Sequence, residues 1–379
     1  MNRAPLVAGL KRLNMLETAP YDEAAVRGVL HQWLRELRLP FEVDPFGNTT
    51  VRVRYGHPRR QVAYVAHLDH PGFRVTAVKN GEVTCAAEGG LPTIGIRGAK
   101  VIFPRTAVGR ISGRVASAKV VVVKGRARIE VARVKVSVKG PTPAVGDFAV
   151  LDLPAFRQSG HRLKLRVADD LAGCSAIVAA LSDLSQQTSA VDIVGLFTRA
   201  EEVGFHGSLA AAIENRLPRD TMIISVECSR AYGDLTLGKG PVVRLGDRTG
   251  PFHPRAAALL SGAAQELAKK KFAYQSALMS GGTCEATAFA AFDYATAGIA
   301  LPLVAYHNQG ARGVVPEEID VRDLEGTARL IVAASLRAGA GIEDIELLRN
   351  ELILSSQDGR DRLREPIDPA TGYPLGTKF

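Results

Sequence analysis

Val62-Ala63-Tyr64-Val65-Ala66-His67-Leu68-Asp69-His70 carries a strand-like apolar run into an imidazole and a carboxylate two residues apart. The same ending recurs downstream. Asp169-Asp170, Glu201-Glu202, Glu227 and His307 each close or follow an apolar run. Strand ends that carry carboxylates and imidazoles supply what a two-metal hydrolytic centre requires: one bridging carboxylate, His and carboxylate ligands on each ion, and a bridging water.

Around these runs, strand and helix patterns alternate. Tyr21 to Leu37 places Val26, Val29, Leu30, Trp33, Leu34 and Leu37 at helical spacing. Phe41 to Asp44 and Thr50 to Arg54 read as short strands. Leu171 to Leu184 reads as a helix of small apolar residues, followed by strands over Val191 to Thr198 and Thr221 to Val226. Helices follow near Arg255 to Lys271 and Thr283 to Phe292, then a strand near Ala295 to Ile299 and a long helix near Val321 to Ala338. This alternation predicts an α/β fold with a mostly parallel sheet sandwiched by helices. Ligands of such sheets gather beyond the carboxyl ends of the strands, where His67, Glu201, Glu202 and Glu227 stand.

From about Phe73 to His161 the helical pattern disappears. Asn80-Gly81 is a hairpin signal, and Val120 to Val123 and Ile129 to Val138 are rich in β-branched residues. Val131, Val134, Val136 and Val138 are set against Arg133, Lys135 and Ser137. Arg97 to Lys139 holds twelve Lys/Arg and one acid, Glu130, a surplus of +11 in a chain of net charge +9. Such asymmetry raises nucleic acid or another polyanion as a partner; a solvated or assembly face of a β module is the preferred reading. Beyond Ile342 a short acidic helix, Glu343 to Leu354, precedes turns at Glu365-Pro366, Asp368-Pro369 and Tyr373-Pro374. The expected division is a catalytic α/β domain in two parts, 1–72 and 162–342, an inserted basic all-β module at 73–161, and a C-terminal extension at 343–379.

With 379 residues, the chain is long enough for one large core or a core plus a smaller module. Cys85, Cys174, Cys228 and Cys284 form no CxxC, which fits a reducing cytosol and argues against a disulfide framework. The N-terminus lacks a signal-peptide pattern, and no apolar run approaches the roughly 18 residues of a membrane span. A cytoplasmic protein with no membrane partner is expected.

Imidazole and carboxylate donors without thiolate suit Zn, Co or Mn. Water between two such ions is acidified, yet a carboxylate must take its proton and deliver it to a leaving amine. Adjacent Glu201 and Glu202 let base and ligand sit side by side. Each signal alone has a plainer explanation: H-x-D as a surface loop, a Glu pair as a solvated helix start, Asp169-Asp170 as an N-cap, His307 as a core histidine. Glu227, ending a buried run, must be paired or ligated. It is the order of all five blocks on one α/β pattern that favours the metal centre. Glu88-Gly89-Gly90 lacks phosphate-loop spacing and reads as a turn.

His67-Leu68-Asp69-His70-Pro71-Gly72-Phe73 resembles the H-x-D-x-x-G-F segment of the dinuclear metallo-aminopeptidases that include the tetrahedral (TET), deblocking and glutamyl aminopeptidases, some once labelled endoglucanases. Asp169 to Cys174 resembles that family's D-N/D-R-x-G-C, Glu201-Glu202-Val203-Gly204 its E-E-V-G, and Gly281-Gly282-Thr283 its G-G-T. The resemblance implies a zinc-peptidase-like fold in which Asp169 bridges two ions. His67 and Glu227 would complete one site, and Glu202 and His307 the other. It further implies Glu201 as general base and acid, and Asp69 as the partner that holds the His67 ring. Leu171 stands where the family has Arg, Glu227 where it has Asp, and Cys284-Glu285 where it has Asp-Ala.

The function expected is release of N-terminal residues from peptides by two divalent ions, Zn foremost, with Co or Mn as alternatives. Peptides are the substrate partners, and a homo-oligomer from dimer to dodecamer is expected; nucleic acid is not. Two rivals remain open. One is a dinuclear amidohydrolase of N-acyl amino acids or carboxypeptidase-type substrates; the other is an inactive core whose basic β module binds nucleic acid.

Overall fold

Four strands, Val191–Thr198, Val62–His67, Met222–Arg230 and Ala295–Leu303, run parallel side by side in that order at the centre of a nine-stranded sheet. Every residue of the first two is buried, which is why both read as unbroken apolar runs rather than alternations. The computed structural model describes residues 3–379 except 124, 137–139, 343, 364–368, 371, 373–374 and 376–379.

The sheet as a whole is mixed, a correction to the mostly parallel arrangement expected. Thr49–Tyr55 pairs antiparallel with Val191–Thr198, and Phe41–Val43 antiparallel with it in turn. At the other side Val242–Asp247 pairs antiparallel with Ala295–Leu303 and with Gly250–Pro251. Phe41–Val43 and Gly250–Pro251 are joined to their neighbours by short turns, and a short turn permits only antiparallel pairing.

Helices cover both faces. Val62, Tyr64 and Ala66 point into the larger core, against Leu171–Leu184 and Val321–Gly339, with Arg3–Asn14, Ala24–Glu36 and Pro254–Ala268 completing that layer. Ala63 and Val65 point the other way, into a smaller core with His206–Ile213 and Glu285–Ala290. Successive strand residues face opposite sides, so a wholly apolar strand fills both layers.

After His67 the chain leaves the sheet and closes a six-stranded barrel. The order around it is Gly72–Lys79, Glu82–Glu88, Arg126–Val136, Gly109–Val123, Lys100–Thr106 and Phe148–Leu151. Phe73, Val75, Phe103, Val115 and Val134 fill its interior, while Arg133 and Lys135 face solvent. The expected inward Val131 is half-buried and Ala132 takes the interior place. Val131 shares its parity with Arg133 and Lys135, so alternation sets it on their side; the register shift, Lys119 opposite Val131 but Val120 opposite Ile129, reverses the alternation and lets Ile129 face inward as well. Ser137 and Val138 lie outside the described residues.

The chain returns through the hairpin Phe156–Ser159 and Arg162–Leu165, which pairs with Glu317–Asp320. At the C-terminus lie helices Asp344–Ser355 and Gln357–Leu363. Glu343 and the turn residues Glu365, Pro366, Asp368, Tyr373 and Pro374 lie outside the described residues. Among the described residues, no helix is long and apolar enough to cross a membrane.

Candidate metal centre

The parallel register brings the site together. Val65 faces Ser225 across one pairing and His67 faces Thr198 across the other. His67, Glu227 and the Glu201-Glu202 loop therefore emerge at the same edge of the sheet. Asp169 precedes the helix Leu171–Leu184, and the peptide linking it to Asp170 is cis. Asp170 caps that helix, its side chain accepting from the Gly173 amide. Adjacent carboxylates thus divide the work, one closing the helix and the other left for the site.

Asp169 lies between two imidazoles. Its Oδ1 is 3.4 Å from His67 Nε2 and its Oδ2 3.7 Å from His307 Nε2. Glu202 Oε1 is 3.0 Å from His307 Nε2, and Glu201 Oε2 is 3.8 Å from His67 Nε2. Ligand atoms of His67, Asp169 and Glu202 all lie within 4.8 Å of one another. The structure places Glu227 at the margin of this group, its Oε2 3.6 Å from Arg244 Nη1.

Each histidine is oriented from behind. His307 Nδ1 is 2.9 Å from the Gly90 carbonyl and His67 Nδ1 is 3.2 Å from the Asp69 carbonyl. Donation from Nδ1 fixes the tautomer that leaves Nε2 available to a metal. Asp69 is fully buried; its carboxylate accepts from the Glu201 amide at 2.9 Å and the Glu202 amide at 3.0 Å, and lies 3.6 Å from His67 Nδ1. It therefore fixes the glutamate loop as well as flanking the imidazole.

The electrostatics suit bound cations. Asp169 Oδ1, Glu202 Oε1, Glu227 Oε2 and His307 Nε2 are buried without a hydrogen-bond partner. Unpartnered buried polar atoms are costly, and a set of carboxylates and imidazoles with lone pairs directed at one another fits divalent ions. Burial pushes the Glu201 carboxyl well above the usual carboxylate range, against the pull of His67. Burial likewise carries Glu227 to about 8 despite Arg244. Burial opposes charge on Asp169 too, yet His307 and His67 hold it at about 2.

A cavity of about 660 Å³ adjoins Glu227, with Arg126, Arg230, Arg244, Thr283 and Tyr306 in its wall. Arg126 comes from the barrel, donating to the Gly281 carbonyl at 2.6 Å. Tyr306 stacks on the His307 ring at 3.8 Å between centroids.

Sequence reasoning assigns no role at the site to Gly90, Arg244 or Glu317. Gly90 reads as a turn residue in the sequence, but a Cβ there would lie 2.6 Å from His307 Nδ1, so only glycine lets the imidazole reach that carbonyl. Arg244 sits mid-strand and Glu317 opens a short strand; neither has a local signal.

Solved structures share the fold, three peptidases among them. An aminopeptidase from the archaeon Desulfurococcus kamchatkensis is 21% identical with a TM-score of 0.73, covering 90% of this chain and 98% of its own. A TET aminopeptidase from Thaumarchaeota archaeon SCGC AB-539-E09 is 21% identical with a TM-score of 0.74, covering 89% and 98%. The Pyrococcus horikoshii TET1 peptidase, which assembles into a tetrahedron or a large octahedral shell, is 22% identical with a TM-score of 0.69, covering 87% and 99%. The family model of the M42 glutamyl aminopeptidases matches residues 47–330, which includes every candidate ligand from His67 to His307. The chain is a peptidase and belongs to the M42 glutamyl aminopeptidase family.

Proposed function

We propose that the chain is a metal-dependent aminopeptidase that removes N-terminal residues from peptides. His67, Asp169, Glu202, Glu227 and His307 hold two divalent ions, Zn foremost and Co or Mn as alternatives. The observation that carries this reading is the position of Asp169, one carboxylate oxygen toward each of two imidazoles. When bound, such an ion pair supplies an acidified water and polarises the scissile carbonyl. Glu201 stands beside His67 as the group that takes the water's proton and returns it to the leaving amine. Burial raises its carboxyl toward the operating pH, where such a relay is most effective. Asp69 holds Glu201 and Glu202 by their amides, so base and ligand keep their spacing.

Arg126, Arg230 and Arg244 make the adjoining cavity electropositive, which favours a peptide whose first residue is acidic. The basic barrel supports a role as an assembly face of a homo-oligomer. The four described cysteines are all unpaired, in keeping with a cytoplasmic enzyme.

Arg244 beside Glu227 also favours a second reading, an amidohydrolase that recognises the carboxylate of an N-acyl amino acid. Matched substrates decide between the two. Free-amine peptides should be cleaved at least 100-fold faster than their N-acetylated counterparts; preference for the blocked series would reverse the assignment.

A further inference from the structure

Glu317 is fully buried at the start of the strand Glu317–Asp320, with Leu165 opposite it in the neighbouring strand. Its carboxylate turns inward and is shared between two loops. Oε2 accepts from the amides of Ala168 at 2.7 Å and Asp169 at 3.1 Å; Oε1 accepts from the His307 amide at 2.7 Å. His307 is in the left-handed region, with φ of 53°, and Ala305 and Asn308 flank it at φ of 60°. L side chains avoid this region unless surrounding bonds impose it. A second tie joins the same segments: His70 contacts the Asp169 carbonyl at 2.9 Å and Asn308 Oδ1 at 3.1 Å, and Asn308 donates to the Arg166 carbonyl at 3.0 Å.

We propose that Glu317 is a positioning residue of the metal centre. One buried carboxylate clamps the backbones of Asp169 and His307 so that both ligands address the same ion pair. This rests on the two-ion reading above. Only a carboxylate serves the clamp, because all three of its partners donate. An amide in its place offers one oxygen and turns an N–H against an N–H.

The test is Co²⁺ binding to metal-stripped protein, measured by competition with a chromophoric chelator. Wild type, Glu317→Gln and Tyr64→Phe are compared, with thermal midpoints recorded metal-free. Tyr64 donates to the Ile331 carbonyl in the helix Val321–Gly339, a buried bond that involves no candidate ligand, so Tyr64→Phe serves as the control for a loss of stability alone. Glu317→Gln should weaken Co²⁺ binding 10–100-fold, the range for outer-sphere partners, while Tyr64→Phe leaves it unchanged. If Glu317→Gln does not fold, Glu317→Asp carries the same expectation, since the shorter side chain cannot span both loops. A Glu317 variant that loses thermal stability but binds Co²⁺ as wild type does would overturn the clamp. Wild type binding no Co²⁺ would instead remove the two-ion reading beneath it.

Discussion

His67 and His307 each turn Nδ1 to a backbone carbonyl and leave Nε2 facing carboxylates. Burial alone would keep both imidazoles neutral, but Glu201 and Asp169 around one, and Glu202 and Asp169 around the other, raise them well above their ordinary value. Without metal, the surrounding carboxylates thus favour the protonated form of both. A metal ligates only the neutral imidazole, so binding must displace protons, and affinity must fall as pH falls. We expect calorimetric Zn²⁺ binding at pH 7 to release at least one proton per chain, seen as a dependence of the enthalpy on buffer ionisation. An enthalpy independent of buffer would contradict the protonated imidazoles. The candidate ligands His67 and Glu202, which the structure brings together, are legible in the sequence by residue type, because each sits at the end of a recognisable run. Gly90 and Glu317 act through atoms with no signature in a single sequence. Gly90 meets His307 across 217 residues through a carbonyl that any residue possesses.

The strands and helices that frame the site were legible where burial is complete. Leu171–Leu184 and Val191–Thr198 have the expected bounds. The helix Arg3–Asn14 is not evident in the sequence pattern, where helical spacing first appears at Tyr21. Gly9 in its middle weakens the helical signal, yet a Cβ there would lie 2.1 Å from the Trp33 ring: the glycine admits the neighbouring helix. Between elements, Asp192 joins three strand segments. Arg52 donates to it at 2.8 and 2.7 Å, and Gln61 at 3.1 Å. Burial pushes the carboxyl up, but Arg52 and Gln61 outweigh it and hold Asp192 below the usual range. A depressed carboxylate contributes stability above its unfolded value, near pH 4, and loses it as pH falls through the folded one. Asp192→Asn should cost about 1–2 kcal/mol at pH 7, with the difference shrinking toward pH 3 in urea denaturation. An unchanged difference across that range would place the effect in packing instead.

Across the whole molecule, the exposed charges of the basic barrel and the buried Arg244 of the cavity act on different ranges. Lys119 and Arg133 of the barrel are more than half exposed and each already faces a glutamate. Their long-range attraction is screened over about 8 Å at physiological ionic strength. Arg244 is buried, so salt reaches it little. Raising salt from 0.05 to 0.5 M should increase KM for acidic peptides several-fold with kcat unchanged, while their preference over neutral peptides persists. Insensitivity of KM to salt would end the steering role. The barrel's place after His67 was legible from its loss of helical pattern, but its closure was not. Closure depends on Phe73 pairing with Ala149, a long-range contact that local alternation does not encode.

The most direct measurement is peptide hydrolysis by metal-stripped protein with Zn²⁺, Co²⁺ or Mn²⁺ added back, alongside metal content and a Glu201→Gln control. A dinuclear aminopeptidase should regain release of N-terminal residues as two ions bind per chain. Glu201→Gln should bind the same two ions and lose 10²–10⁴-fold in kcat. Activity that survives metal removal, or a Glu201→Gln variant as active as wild type, would contradict the mechanism.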